Sequence, residues 1–243
     1  MVQENSKRNE GKMRKESEEW SEFAEDYDRK VFSLTKIPKR REQILYSIKK
    51  GRVLNLGSGP TPYLNQELVK EDCEVIASDF SKDILRVAKG RFIHPDLKYV
   101  LTDSRMLGFK DETFDSVVSV NSILPPYKVH VKMMINEIYR VLKSGGLFVG
   151  FLCSYDSLKK AIKEFNLNFK TDEEQQRVYD SSGWQCFHTP KSIEEMVTTA
   201  GFGDYSCEKV FLDTEQEIKE LERLYGFDAS KCFIYEHLVV AQK

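Results

Sequence analysis

Two glycines one residue apart, Gly57 and Gly59, close a short apolar run in Arg52-Val-Leu-Asn-Leu-Gly-Ser-Gly-Pro-Thr-Pro-Tyr63, and an acid, Asp79, follows 22 positions after the first. Glycines at a strand end let the backbone come close to a ligand, and a carboxylate ending the next strand accepts hydrogen bonds from ribose hydroxyls. The pair therefore predicts a nucleoside site. A dinucleotide is disfavoured, because Pro62 stands at the third glycine position of G-x-G-x-x-G and Pro60 and Pro62 remove amide donors a diphosphate would need. No lysine follows the glycines, so there is no Walker A loop. Tyr155-Asp-Ser-Leu-Lys159 fits the YxxxK pair of a dehydrogenase, but two fixed positions arise easily by chance and the matching glycine motif is missing.

These residues need a scaffold, and the chain reads as one. An amphipathic helix over Glu18–Arg29 and a second over Pro38–Lys49 precede a strand–helix alternation. Strands are predicted at Val53–Leu56, Glu74–Ser78, Leu97–Leu101, Ser116–Val120 and Leu147–Cys153, with helices at Pro62–Glu71, Ser81–Gly90 and Val129–Leu142. Ser81 is read as an N-cap and Gly90 as a C-cap. The polar, helix-leaning stretch of about 30 residues after Cys153 is too long for a plain connector and reads as an insertion over the ligand-binding edge. Alternation resumes through strand Glu208–Leu212 and helix Thr214–Tyr225 to a final strand near Glu236–Ala241. The expected fold class is α/β: a Rossmann-like, seven-stranded, mostly parallel sheet flanked by helices, its last strand antiparallel. Residues 1–15 are expected to be a disordered tail, 16–50 an N-terminal helical cap, and 51–243 the main domain with a substrate-capping insertion at about 155–189.

In this order the motifs resemble a class I S-adenosylmethionine-dependent methyltransferase. Val53-Leu-Asn-Leu-Gly-Ser-Gly59 is similar to the family's first motif, and Val75-Ile-Ala-Ser-Asp79-Phe80-Ser81 resembles its second strand with the ribose-binding acid. Tyr99-Val-Leu-Thr-Asp103-Ser104 resembles the third, and Phe114-Asp-Ser-Val-Val-Ser-Val-Asn121 the fourth. The loop Gly57-Ser-Gly-Pro-Thr-Pro-Tyr63 is similar to that of the nicotinamide, phenylethanolamine and indolethylamine N-methyltransferases. The resemblance implies S-adenosylmethionine as cofactor, held by Tyr27, Gly57, Gly59, Tyr63, Asp79, Phe80, Asp103, Ser104 and Asn121. Asn55 and Thr61 depart from the family's usual acid and third glycine.

The acceptor side is thinner. Leu124-Pro-Pro-Tyr127 only partly matches the (D/N)PPY motif of amino-group methyltransferases, since Pro-Pro-Tyr comes three residues late after Asn121 and Leu124 holds the polar position. Tyr127, Trp184 and His188 are the candidate substrate contacts, with His188 and Tyr127 the candidate catalytic groups. The lack of an obvious base fits transfer to nitrogen, because a neutral amine needs no strong base whereas oxygen or carbon usually does. The expected function is methyl transfer to a small molecule, more at nitrogen than at oxygen, carbon or sulfur. The alternatives are a tRNA or protein methyltransferase and a non-catalytic cofactor-binding partner subunit.

Bulk properties narrow the rest. With 37 Lys and Arg against 39 Asp and Glu, the net charge of −2 gives no pull toward nucleic acid or an anionic membrane. No apolar run approaches the roughly 20 residues that cross a bilayer. Five scattered cysteines (73, 153, 186, 207 and 232) without CxxC point to reduced thiols rather than disulfides or a zinc site. The expectation is a cytoplasmic protein without a metal.

Overall fold

The computed structural model describes residues 16–180, 183–229 and 234–243. The expected tail at 1–15 lies outside the described residues, as does Cys232.

The central sheet comprises β1 (Arg52–Leu56), β2 (Glu74–Asp79), β3 (Leu97–Leu101), β4 (Phe114–Val120) and β5 (Leu142–Cys153). After an intervening three-stranded sheet it is completed by two further strands, β9 (Tyr205–Phe211) and β10 (Tyr235–Gln242). Their spatial order is β3-β2-β1-β4-β5-β10-β9. The pairs of β1 to β5 are parallel, and β10 runs antiparallel to both β5 and β9. This is the expected seven-stranded sheet with its last strand reversed. The central strands are mostly apolar because both faces are covered: Val53, Leu54 and Leu56 of β1 are all buried. Two apolar clusters fill the two sides, one around Phe114, Ile138 and Phe148, the other around Val53, Leu68 and Phe151.

Chain order reverses between β1 and β4, so their carboxyl ends diverge into a crevice, the ligand position in open α/β sheets. Helix α5 (Lys82–Arg91) is capped by Ser81, whose Oγ accepts the Ile84 N–H at 3.3 Å. Gly90 does not end that helix; it continues to Arg91, and no αL residue closes it.

Two regions differ from the sequence reading. The first helix is broken: residues 16–21 are helical, 22–26 turn, and α2 spans Tyr27–Lys30. The break lets 16–21 follow the turn after β2, where Ser17 Oγ donates to the Phe80 carbonyl at 2.9 Å and Ser21 Oγ lies 2.8 Å from Ser81 Oγ. The insertion is only partly helical. Helix α7 (Tyr155–Glu164) is followed by an antiparallel sheet of β6 (Lys170–Asp172), β7 (Arg177–Asp180) and β8 (Gly183–Cys186). Pairing across β7 and β8 supplies partners that a solitary polar segment lacks. A capping box, with Thr189 and Ser192 each accepting from the other's backbone, then opens helix α8 (Pro190–Ala200). A second, with Thr214 and Glu217, opens α9 (Glu215–Tyr225).

Candidate functional site

The carboxyl ends of β1, β2 and β4, together with the turn after β3, line one cavity of about 450 Å³. Gly57 and Gly59 both have φ of +62°, a conformation that favours glycine. A Cβ at Gly57 would stand 2.3 Å from the Ser122 Cβ, and one at Gly59 would meet the Tyr27 hydroxyl at 3.4 Å. The loop is thus pressed between the β4 end and α2. Asp79 is buried, its Oδ2 accepting the Gly59 N–H at 3.2 Å and its Oδ1 the Ser81 N–H at 3.0 Å. Burial pushes its carboxyl up to about 6, against the opposing pull of those N–H groups. Tyr27 also lines the cavity, and burial raises its phenol, with the nearby Asp79 charge adding to the effect.

Phe80, Asp103 and Ser104 line the same cavity. Two residues missed from sequence join them. Arg105 grips Asp103, its Nε donating to Oδ1 at 2.9 Å and its Nη2 to Oδ2 at 2.7 Å, while Nη1 donates to Glu16 Oε2 at 2.9 Å. Asp103 therefore faces the cavity already engaged by a cation, and residues 16–21 are fastened across this end. Burial raises the Glu16 carboxyl, with Arg105 opposing. Only the proximity of Arg105 to Asp103 was visible in sequence; Glu16, 89 positions away from Arg105, gave no signal.

At the β4 end Asn121 has φ of +50° and lines the cavity. Its Nδ2 donates to Glu236 Oε1 at 2.8 Å, and Glu236 is itself buried, its carboxyl pushed up to about 7 by desolvation. Beyond Asn121 the cavity is walled by Leu124, Pro125, Pro126 and Tyr127 from the loop after β4, and by Tyr179, Trp184 and Gln185 from the insertion. The insertion is stitched to that loop: the Cys186 N–H donates to the Pro125 carbonyl at 3.0 Å, and Arg177 Nη1 to the Pro126 carbonyl at 3.0 Å. Arg177 also stacks on Trp184 at 4.5 Å and on Tyr127 at 5.4 Å.

Two candidate residues lie elsewhere. Tyr63, expected against the cofactor, begins helix α4 (Tyr63–Lys70), is 39% exposed, and sits under the Arg41 guanidinium at 5.7 Å, outside the cavity lining. The Pro62 turn carries it away from the crevice. His188, expected as a substrate contact or base, is 3% exposed, and its Nε2 lies 2.8 Å from the Ile123 carbonyl. Burial depresses its imidazole to about 4, so it is a neutral group bracing the β4 loop from behind. Tyr127 and Trp184 do reach the cavity; so do Tyr27, Gly57, Gly59, Asp79, Phe80, Asp103, Ser104 and Asn121.

The residues fit S-adenosylmethionine. The buried Asp79 carboxylate on a glycine loop suits a ribose, Phe80 and the Asp103–Ser104 turn suit a base, and the crevice continues past Asn121 into room for a second molecule.

Residues 54–150 match the model of a methyltransferase domain. A demethylmenaquinone methyltransferase of Streptomyces griseus is 36% identical over 104 residues, which is 43% of this chain and 42% of the relative. A phosphatidylethanolamine N-methyltransferase of Cereibacter sphaeroides is 30% identical over 126 residues, 49% of this chain and 59% of that protein. The chain thus spans about two-fifths and three-fifths of the lengths of these relatives. A solved S-adenosylmethionine-dependent methyltransferase from Methanosarcina mazei superposes with a TM-score of 0.61 at 16% identity, over 83% of this chain and 96% of that one. The match of residues 54–150 to a methyltransferase domain and the superposition with that solved structure agree on the fold of the sheet and its crevice.

Proposed function

We propose that this chain transfers the methyl group of S-adenosylmethionine to a nitrogen of a small acceptor. Tyr27, Gly57, Gly59, Asp79, Phe80, Asp103, Ser104 and Asn121 hold the cofactor, while Tyr127 and Trp184 form the acceptor wall. The cofactor supplies an electrophilic sulfonium methyl, and the protein supplies alignment and exclusion of water. When bound, it would give its methyl carbon to the acceptor lone pair, with the C–S electron pair returning to sulfur and one N–H proton leaving to solvent.

One observation carries the choice of nitrogen. The lining contributed by the β4 end, from Asn121 through Tyr127, contains no carboxylate or imidazole. His188, behind that loop, is neutral and faces a backbone carbonyl. A neutral amine reacts at such a site; a hydroxyl or ring carbon requires a base. The Streptomyces griseus relative supports a second reading, a quinone-type ring as acceptor, for which the aromatic wall is suited.

Calorimetry with S-adenosylmethionine and S-adenosylhomocysteine tests the first half, with binding of both as the expected result. Methyl transfer from radiolabelled cofactor to arylalkyl amines, with a naphthoquinol as comparison, tests the second. Transfer to the naphthoquinol alone would replace the nitrogen reading by the ring reading.

A further inference from the structure

Two polar atoms beside the β4 end, Asn121 Oδ1 and Glu236 Oε2, are buried with no hydrogen-bond partner among the described residues. They belong to side chains that already touch, since Asn121 Nδ2 donates to Glu236 Oε1 at 2.8 Å. An ionised carboxylate only accepts, and so does an amide oxygen, so neither leftover atom can answer the other. One proton on Oε2 answers both. The neutral acid donates its O–H to Oδ1 while its other oxygen keeps the Nδ2–H.

The surroundings of Glu236 favour that proton. It is 6% exposed on β10, opposite Cys153 of β5 and Val210 of β9. Two charged groups face it, Glu217 of α9 and Arg40 of the helix before the sheet. Arg40 is committed to Glu217 and to the Phe211 carbonyl, and the Glu217 repulsion outweighs the Arg40 attraction. His237, the next residue of β10, falls on the opposite face, its Nδ1 3.7 Å from Cys207 Sγ. Desolvation, aided by Glu217, pushes the Glu236 carboxyl up to about 7 against the pull of the Asn121 amide.

Asn121 is where this matters. It lines the cavity with φ of +50°, and its backbone N–H donates to the Phe151 carbonyl at 2.9 Å. With the backbone pinned, the direction of the side chain is the freedom that remains. We propose that Glu236 is a positioning residue acting through Asn121: the neutral acid closes a pair of two hydrogen bonds with the amide, Nδ2–H to Oε1 and Oε2–H to Oδ1, and ionisation opens it. The inference rests on the methyl-transfer reading above and deepens it. Glu236 does not line the cavity and takes no proton from the acceptor, so this end of the site still works without a base. Once ionised, Glu236 sets two acceptors, Oε2 and Oδ1, against each other, and the amide leaves the place where the cofactor crevice passes into the acceptor space. Alignment at the methyl group then worsens. The closed pair is present below about 7 and is lost as pH rises through that value.

Glu236→Gln is the pair made permanent, because its amide oxygen accepts from Asn121 Nδ2 and its amide nitrogen donates to Oδ1. The first measurement follows the Asn121 side-chain amide resonances of isotope-labelled protein from pH 5.5 to 8.5. In the wild type they are expected to titrate with a midpoint near 7, and in Glu236→Gln to stay in place. The second is turnover at saturating cofactor and acceptor, expressed as wild type divided by Glu236→Gln so that titration of Asp79 and of the acceptor cancels. That ratio should fall about 3- to 10-fold between pH 6 and pH 8.5, the worth of one hydrogen bond. A wild-type Asn121 amide that does not move overturns the inference, and that result needs no variant to fold. It is the outcome expected if a water donates to both leftover oxygens of an ionised pair. A turnover ratio independent of pH, as a merely structural Glu236 would give, overturns it as well. Methyl transfer is judged separately: an Asn121 amide that titrates with Glu236 in a protein that methylates no acceptor keeps the shared proton and loses the methyl-transfer reading.

Discussion

Arg40 and Glu217 are 1% and 0% exposed, and the guanidinium holds both carboxylate oxygens, Nε to Oε1 at 2.6 Å and Nη2 to Oε2 at 2.8 Å. The pair ties α3 (Pro38–Ser47), which precedes the sheet, to the last helix, α9. Glu217 also accepts the Thr214 N–H at 2.9 Å, so one carboxylate serves a helix cap and an ion pair. Removing one partner leaves the other charged and buried, at a cost of about 3–5 kcal/mol. Arg40→Ala is therefore expected to lower the melting temperature by roughly 10 °C. The double replacement Arg40→Met with Glu217→Leu should recover most of that loss. A single variant that melts within about 2 °C of the parent contradicts this account.

Asp79 makes stability and ligand binding respond to pH in opposite directions. Its folded-state carboxyl, pushed up to about 6 from the ordinary 3.8 by burial, binds a proton more tightly than the unfolded chain does. The associated stability is present below about 4 and is lost as pH rises through about 6, on the order of 3 kcal/mol in all. On the proposed reading the charged form accepts from ribose hydroxyls, so cofactor affinity should rise over the same interval. Asp79→Asn is expected to flatten both profiles and to weaken S-adenosylmethionine binding about 10- to 100-fold at pH 7.5, the worth of hydrogen bonds to a charged acceptor. Urea denaturation and calorimetry from pH 4.5 to 8 measure the two.

Glu236 follows the same sign with a higher midpoint. Desolvation pushes its carboxyl up to about 7, and its Oε2 has no partner among the described residues. Ionisation above that pH is unfavourable in the folded state, so stability declines as pH passes upward through about 7. Glu236→Gln can still accept the Asn121 Nδ2–H and should be more stable than the parent at pH 8.5 but not at pH 5.5. Equal melting shifts at the two pH values would count against it.

Arg177 is placed to organise the acceptor wall without touching the cofactor end. It stacks on Trp184 and Tyr127 and donates to the Pro126 carbonyl. Arg177→Met should raise the acceptor KM by about tenfold, from loss of a stacked cation and its hydrogen bond, with the cofactor Kd unchanged. Initial-rate kinetics against both substrates separate the effects.

Legibility followed locality. Gly57, Gly59 and Asp79 were visible because a tight turn and a strand-end acid are demanded by a few neighbouring residues. The alternation that predicts a parallel sheet is likewise written in short apolar runs such as Val53–Leu56. Tyr63 misled because a motif carries identity but not direction, and the Pro62 turn sends its ring toward Arg41. His188 misled because nothing adjacent reveals that β5 and the β4 loop enclose it. The insertion's strands were hidden by polar composition, since they pair with one another and not with the main sheet. Glu16 and Glu236 reach the site across 89 and 115 positions, distances over which sequence patterns are silent.

Residues 16–21 are fastened at three points, Glu16 to Arg105, Ser17 to the Phe80 carbonyl and Ser21 to Ser81. A nucleoside lying beneath such a strap departs only as often as the strap lifts, whatever the speed of the reaction itself. On the proposed function, release past these residues would set a pace separate from the chemistry, as in enzymes whose turnover is governed by release. Shortening the chain to begin at residue 22 should therefore hasten departure of S-adenosylhomocysteine in stopped-flow measurements while weakening its capture.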